Sequence, residues 1–321
     1  MEIIAKRGFI NLIEKPKFED IKYNDNIKNL SDGYWVYDAL IQELEKNNWI
    51  RFAPGFKAGV YGHSKHKYCI KILGMGVGDD PKYFCEKGNY IEHERNMMMK
   101  FRNNKFTFLP EVLTQEDSIR FLVEECKISK SQAEERCFKN DILITEYIPG
   151  IAMATQTGQF LDQILNVGYF SEEVIFEMEA SLYKLKEELD CANRLGLLHN
   201  DPMPPNIIFT VDKNERIIAK LVDFELSQDI NVSSPSFVDN SVKEQYKERD
   251  VPLNNQTGKY KKNLDQHLME LSIELLQNLP LHIRKQKKLE TIWDSISITI
   301  PFVGIGINLG GMERHLRKTK N

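Results

Sequence analysis

The apolar and polar positions of the 321-residue chain change period several times, and each change marks an element. In Asp38 to Asn48 (DALIQELEKNN), Leu40, Ile41 and Leu44 share one helical face and asparagines close the run, so residues 1–46 read as a helical N-terminal extension. The pattern then shortens. WIRFAPGFKAGVYGHSKHKYCIKIL reads as brief strands joined by glycine and polar turns, ending in the β-rich run Tyr68 to Leu73. A glycine-rich connector, Gly74 to Pro81, leads into a helix carrying EHERNMMMKF. FTFLPEVLT, DSIRFLVEEC and ILITEYI (Ile142 to Ile148) are expected to add three more strands. At Pro149-Gly150 the character changes again, and long helical patterns such as SEEVIFEMEASLYKLKEELDCANRLG dominate. One exception stands inside them: NIIFTVDKNERIIAKLVDFELSQ is two apolar strands around the turn Asp212-Lys213-Asn214. The expected fold class is therefore α+β, with a β-rich part over 47–148, a mainly helical part over 149–321, and a cleft between them.

Composition narrows the class without naming a function. At 41% hydrophobic and 28% charged residues, the chain is an ordinary globular mixture, which excludes collagen-like, disordered and disulfide-scaffold proteins. Lys and Arg total 43 against 47 Asp and Glu, for a net charge of −4, so no nucleic acid partner is expected from bulk electrostatics. The five cysteines (Cys69, Cys85, Cys126, Cys137 and Cys191) form no CxxC pair and read as reduced core thiols. The first residues lack a signal-peptide pattern, and no apolar run reaches the ~18 residues of a membrane span. Ile296 to Gly311 comes nearest but is broken by Pro301 and internal glycines, and reads as a buried C-terminal segment. The expectation is a soluble, cytoplasmic protein, or one delivered into another cell, with no transmembrane segment.

The chemistry concentrates in LLHNDPMPPNIIFT, followed by LVDFELS. Asp201 and Asn206 stand at the two ends of a loop stiffened by Pro204 and Pro205, and Asp223 ends the strand that returns to it. Two carboxylates and an amide oxygen are hard donors, suited to Mg²⁺ and to a hydroxyl proton. Magnesium is useful where a phosphoryl group moves, since it balances charge on the transferring oxygens.

HNDPMPPN resembles the HxDxxxxN catalytic loop of the protein-kinase-like superfamily, and VDFE resembles its DFG metal motif. The likeness extends over roughly residues 47 to 280. Lys71 in YCIKIL stands where the family carries its strand lysine, and Glu94 in EHERNMMMKF supplies a helix glutamate, with Glu92 as second choice. Glu94 is preferred because Met97, Met98 and Phe101 then form the apolar face behind it. ITEYIPG resembles the hinge, with backbone groups of Glu146 and Ile148 offered to adenine; Asp265 begins a helix resembling the one that supports the catalytic loop. His199 reads as a structural buttress of that loop. Gly55, Gly59 and Gly62 depart from G-x-G-x-x-G spacing, yet their N–H groups are candidates to cradle phosphates.

What the resemblance implies is a bilobal fold with an ATP cleft, ATP and Mg²⁺ (or Mn²⁺) as ligands, Asp201 as catalytic base, and Asn206 and Asp223 on the metal. Lys71, paired with Glu94, would position the α and β phosphates. Three departures bear on the acceptor. The loop reads HND rather than HRD, Met203 replaces a lysine two residues after the aspartate, and Glu225 replaces the glycine of DFG. HND together with DFE resembles choline kinases and aminoglycoside phosphotransferases, and the EYIPG hinge resembles the latter, whereas CANRLGLLHND resembles protein kinases. The Ser-rich stretch 226–263 lacks an Ala-Pro-Glu anchor. The reading favours an atypical Ser/Thr protein kinase with a protein substrate. A small-alcohol kinase and an ATP-binding pseudokinase stay open as alternatives.

Overall fold

The computed structural model describes residues 39–54, 58–73, 90–153, 172–249, 251, 260 and 262–284. The expectations for Gly55, the 74–81 connector, Cys85 and the 296–311 run lie outside these residues, as does most of the 1–46 extension. The class is α+β. Helix α1 (Ala39–Lys46) is followed by an antiparallel sheet in order β1 (Ile50–Pro54), β2 (Ala58–Gly62), β3 (Tyr68–Leu73) and β4 (Ile142–Glu146). Between β3 and β4 lie α2 (Tyr90–Asn103), α3 (Gln115–Glu124) and α4 (Lys130–Phe138). After β4 come β5 (Ile151–Ala152), the long α5 (Glu172–Arg194), β6 (Leu197–Leu198), β7 (Ile207–Val211), β8 (Ile217–Leu221), β9 (Gln228–Asp229), α6 (Ser236–Glu248) and α7 (Leu264–Arg284). β5, β7 and β8 form a second antiparallel sheet, and β6 pairs with β9.

Three apolar clusters hold these elements. Leu40, Ile41 and Leu44 of α1 are buried with Trp49, Tyr61, Ile70, Ile72, Phe121 and Leu122, so this helix belongs to the core of the four-stranded sheet. A second cluster joins Met97, Met98 and Phe101 of α2 to Phe108 and Phe224, then to Met178, Leu182 and Leu185 of α5 and Met269 of α7. A third gathers Met203, Leu226, Phe237, Val238, Val242, Leu264 and Leu268 beneath α6. Gly150 is required where the chain crosses β7: a Cβ there would stand 2.5 Å from both Ile208 Cγ2 and Phe209 O.

Two of the expected strands take other forms. DSIRFLVEEC lies largely in α3, because Ser118, Phe121 and Leu122 are spaced for one helical face and Thr114 caps the start by accepting from the Asp117 N–H. FTFLPEVLT is an extended link with a single bridge, Val112 to Thr145, since it runs beside β4 only near Leu113 and Glu111 and Pro110 brings no N–H. Ser129 caps α4, a helix with no prior sequence expectation. Cys69, Cys126 and Cys137 are buried, but Cys191 is exposed on the solvent side of α5, which corrects its assignment to the core.

Candidate active site

Strand β3 buries Cys69, Ile70 and Ile72, and its register sets Lys71 between Val60 of β2 and Leu143 of β4. The Lys71 Nζ donates to Glu94 Oε2 at 2.8 Å and to Asp223 Oδ1 at 2.7 Å. Glu94 comes from the buried side of α2, where Ile91, Arg95, Met97, Met98 and Phe101 also point inward, whereas Glu92 is exposed. The other Glu94 oxygen accepts from the Phe224 N–H at 3.2 Å, tying α2 to the residue after Asp223. Burial pushes the Glu94 carboxyl up to about 7, against the pull of Lys71. Burial also works against charge on Lys71, but Asp223, Glu94 and Glu225 together outweigh it and hold the amine protonated, well above its ordinary range.

The 199–206 loop is built differently, mostly from neutral donors. Asp265, buried at the start of α7, accepts from the backbone N–H groups of His199 at 2.9 Å and Asn200 at 2.6 Å. Burial raises its carboxyl to about 6, and those two donors act in the opposite sense. His199 is fully buried; its Nδ1 accepts from the Asp201 N–H at 3.2 Å, and its ring meets Phe224 edge-on at 4.5 Å. Burial lowers its pKa to about 4, so it stays neutral and serves as a spacer and acceptor. Asn200 takes a left-handed conformation (φ 65°), which asparagine tolerates better than most residues. Its Nδ2 donates to Leu226 O at 2.9 Å and Gln228 Oε1 at 3.0 Å. Asn200 thus fastens the loop to the segment after Asp223, a role that sequence reading missed because only its partners reveal it.

Pro204, Pro205 and Asn206 form a short 3₁₀ turn, and Asn206 Nδ2 donates to Asp201 O at 3.0 Å and Asp201 Oδ2 at 2.8 Å. Both partners are acceptors, so the amide orientation is forced and Asn206 Oδ1 remains as an acceptor. The Asp201 Oδ1 is buried with no hydrogen-bond partner. Burial raises the Asp201 carboxyl well above its ordinary range, and the Asp223 charge adds to this while Arg249 and Asn206 oppose it. Asp223 also has positive φ, at 65°. Non-glycine residues in that region cost free energy and cluster at functional sites.

Lys71, Glu94 and Asp223 therefore form one ion cluster, and Asp201 and Asn206 form one hydrogen-bonded pair. Gly59 and Gly62 belong to β2: Gly59 pairs with Pro54 and Ile72, while Gly62 pairs with Ile50 at the opposite end of the β1–β2 ladder. Gly62 is thus strand backbone, the last residue of β2. Glu146 ends β4, and its carboxylate accepts from the Glu111 N–H at 3.1 Å; Ile148 follows in the link to β5. No protein-family model matches the chain, and a search of curated proteins finds no similar sequence.

The donor set suits a magnesium ion held partly by phosphate. Asp223 brings a carboxylate and Asn206 an amide oxygen, and Mg²⁺ typically takes one or two such groups with substrate oxygens and water. Among the described residues no group of three His, Cys, Asp or Glu side chains forms an all-protein metal site.

Proposed function

We propose that this chain is an ATP- and Mg²⁺-dependent phosphotransferase with a bilobal, protein-kinase-like fold, acting on a hydroxyl group. The observation that carries this reading is the convergence at one point of residues far apart in the chain. Lys71 joins Glu94 to Asp223, 152 positions away, while Asn206 binds Asp201 in the adjoining loop. A protonated lysine between two carboxylates is a ready partner for phosphate oxygens. The orphaned Asp201 oxygen is a ready acceptor for a hydroxyl proton.

In this reading, Lys71 orients the nucleotide phosphates, with Glu94 fixing its position. Asp201 accepts the proton of the acceptor hydroxyl as that oxygen attacks the γ-phosphorus. Asn206 holds the Asp201 carboxylate still. Asn206 Oδ1 and Asp223 would hold Mg²⁺, which when bound neutralises charge on the phosphates. The acceptor is a protein Ser or Thr hydroxyl. A small alcohol is the second reading, favoured by Asn200 before Asp201 and by Glu225 after Phe224.

The test uses γ-labelled ATP with Mg²⁺, the protein alone, a generic basic protein and a cell extract. Acid-stable label on protein is expected, falling about 10²- to 10⁴-fold in Asp201→Asn with nucleotide binding retained. Undiminished transfer in that variant would remove Asp201 from the chemistry. ATP consumption only when a small alcohol is added, with no labelled protein, would establish the second reading. Binding of ATP with no transfer in any arm would mark a pseudokinase.

A further inference from the structure

Arg249 follows the last residue of α6, and its contacts do not suit a simple helix-end cation. A basic residue there commonly serves the carbonyls of its own last turn. Here Nε donates to the Gln245 side chain at 3.0 Å, and Nη2 lies 2.9 Å from Met203 Sδ, 46 positions earlier. The Arg249 carbonyl oxygen is 3.2 Å from His267 Nε2 on α7, so the backbone is anchored as well. Met203 is buried in the cluster formed by α6 and the start of α7. Its N–H donates to Asp201 O at 2.8 Å, so the residue that touches the guanidinium shares a tight turn with Asp201. Burial works against the Arg249 charge and lowers its pKa, while Asp201 acts in the opposite sense; the guanidinium in turn favours the ionised Asp201 carboxylate against its burial. Among the described residues the guanidinium forms no ion pair.

We propose that Arg249 is a catalytic residue that meets the transferred phosphoryl group beside Asp201, supplying the positive charge that Met203 does not. The inference rests on the phosphotransferase reading and adds a group to it. In the step concerned, a bond forms between the acceptor oxygen and the γ-phosphorus while the bond from that phosphorus to the β–γ bridging oxygen breaks. The hydroxyl proton passes to Asp201, and the electron pair of the broken bond leaves on ADP. Arg249 exchanges no proton. Its fixed, planar donors neutralise equatorial phosphoryl oxygens, which a flexible surface lysine does less well. The consequence is that α6, a helix of the segment after Asp223, completes the site.

Titration of the whole chain with ADP and Mg²⁺, with and without aluminium fluoride, tests this, because the fluoride mimics the phosphoryl group in flight and needs no known acceptor. Wild type is expected to bind ADP more tightly with fluoride. Arg249→Ala should lose about tenfold or more of that gain while its affinity for ADP alone stays within about twofold. Arg249→Lys should keep part of the gain. A full fluoride gain in Arg249→Ala would overturn the role of Arg249 and leave the phosphotransferase reading standing. Equal weakening of both titrations, or a collapse in thermal stability shared by Arg249→Ala and Arg249→Lys, would make Arg249 a structural residue. Failure of wild type to bind ADP, or to gain from fluoride, would overturn the phosphotransferase reading, and this proposal with it.

Discussion

The two halves of the candidate site are stabilised by opposite means. Around Lys71 the chain brings full charges together, and each is compensated by another: the amine by Glu94 and Asp223, the second Glu94 oxygen by a backbone N–H. Around Asp201 the scaffold is largely neutral. Asn206 and His199 hold the aspartate, and Asp265 holds the loop backbone from beneath. The first cluster is self-sufficient before any ligand arrives. The second leaves one carboxylate oxygen buried and unpaired. Leaving a buried acceptor unsatisfied costs free energy, and on the proposed reading the chain bears that cost where a hydroxyl proton would be received.

The largest effect should come from removing the floor of the neutral half. Asp265→Ala strips two buried N–H groups of their acceptor at once, and each such loss costs about 1–3 kcal/mol. Urea unfolding should register a loss of about 2–6 kcal/mol. A change below about 0.5 kcal/mol would mean that the loop stands without α7.

Acid sharpens the same contrast. His199 is held neutral with a pKa pushed down to about 4, against an ordinary 6.5. Between pH 6.5 and 4 the unfolded chain therefore binds a proton that the folded chain refuses, and stability falls as pH falls through that window by up to about 3 kcal/mol. Asp265, raised to about 6, contributes with the opposite sign over an overlapping range, so the useful quantity is the difference between wild type and His199→Gln. Wild type should lose ground on the variant as the pH drops from 7 to 4. Parallel curves would show that His199 titrates normally.

Smaller still is the expected effect on the charged half. Glu94→Gln keeps the shape but weakens the hold on Lys71, and under the proposed function ADP–Mg²⁺ affinity should drop about tenfold, the scale of one charge-assisted bond. Glu92→Gln, on the exposed face of the same helix, should change neither affinity nor stability by more than about 0.5 kcal/mol. Equal effects from the two glutamines would undo the assignment of Glu94.

Much of this site is legible in the sequence. Asp201, the proline-stiffened turn and Asn206 are local, and a spacing of five residues bridged by a 3₁₀ turn leaves little freedom in how they meet. The hairpin that returns Asp223 announced itself by two apolar runs around a polar turn. The helical face of EHERNMMMKF favoured Glu94 over Glu92, because Met97, Met98 and Phe101 define the buried side. Periodicity failed where two periods compete in a short run. DSIRFLVEEC has enough apolar residues for a strand, and the Thr114 cap with Glu116 and Asp117 in the first turn was the signal for a helix.

The sequence by itself determined the α+β class, the order of the reactive groups and the conformation of each short segment that carries them. Those properties depend on neighbours within a few residues, whose backbone preferences and side-chain spacing act without reference to the rest of the chain. The tertiary structure decided which distant groups meet: Lys71 with Asp223, Asn200 with Leu226 and Gln228, Asp265 with the His199 and Asn200 backbone, and Arg249 with Met203. It decided too that Gly62 is strand and Cys191 is surface. The physical reason is that burial and long-range pairing are set by how whole elements pack around shared apolar clusters. A contact across 46 or 152 residues leaves no periodic trace in the chain that makes it.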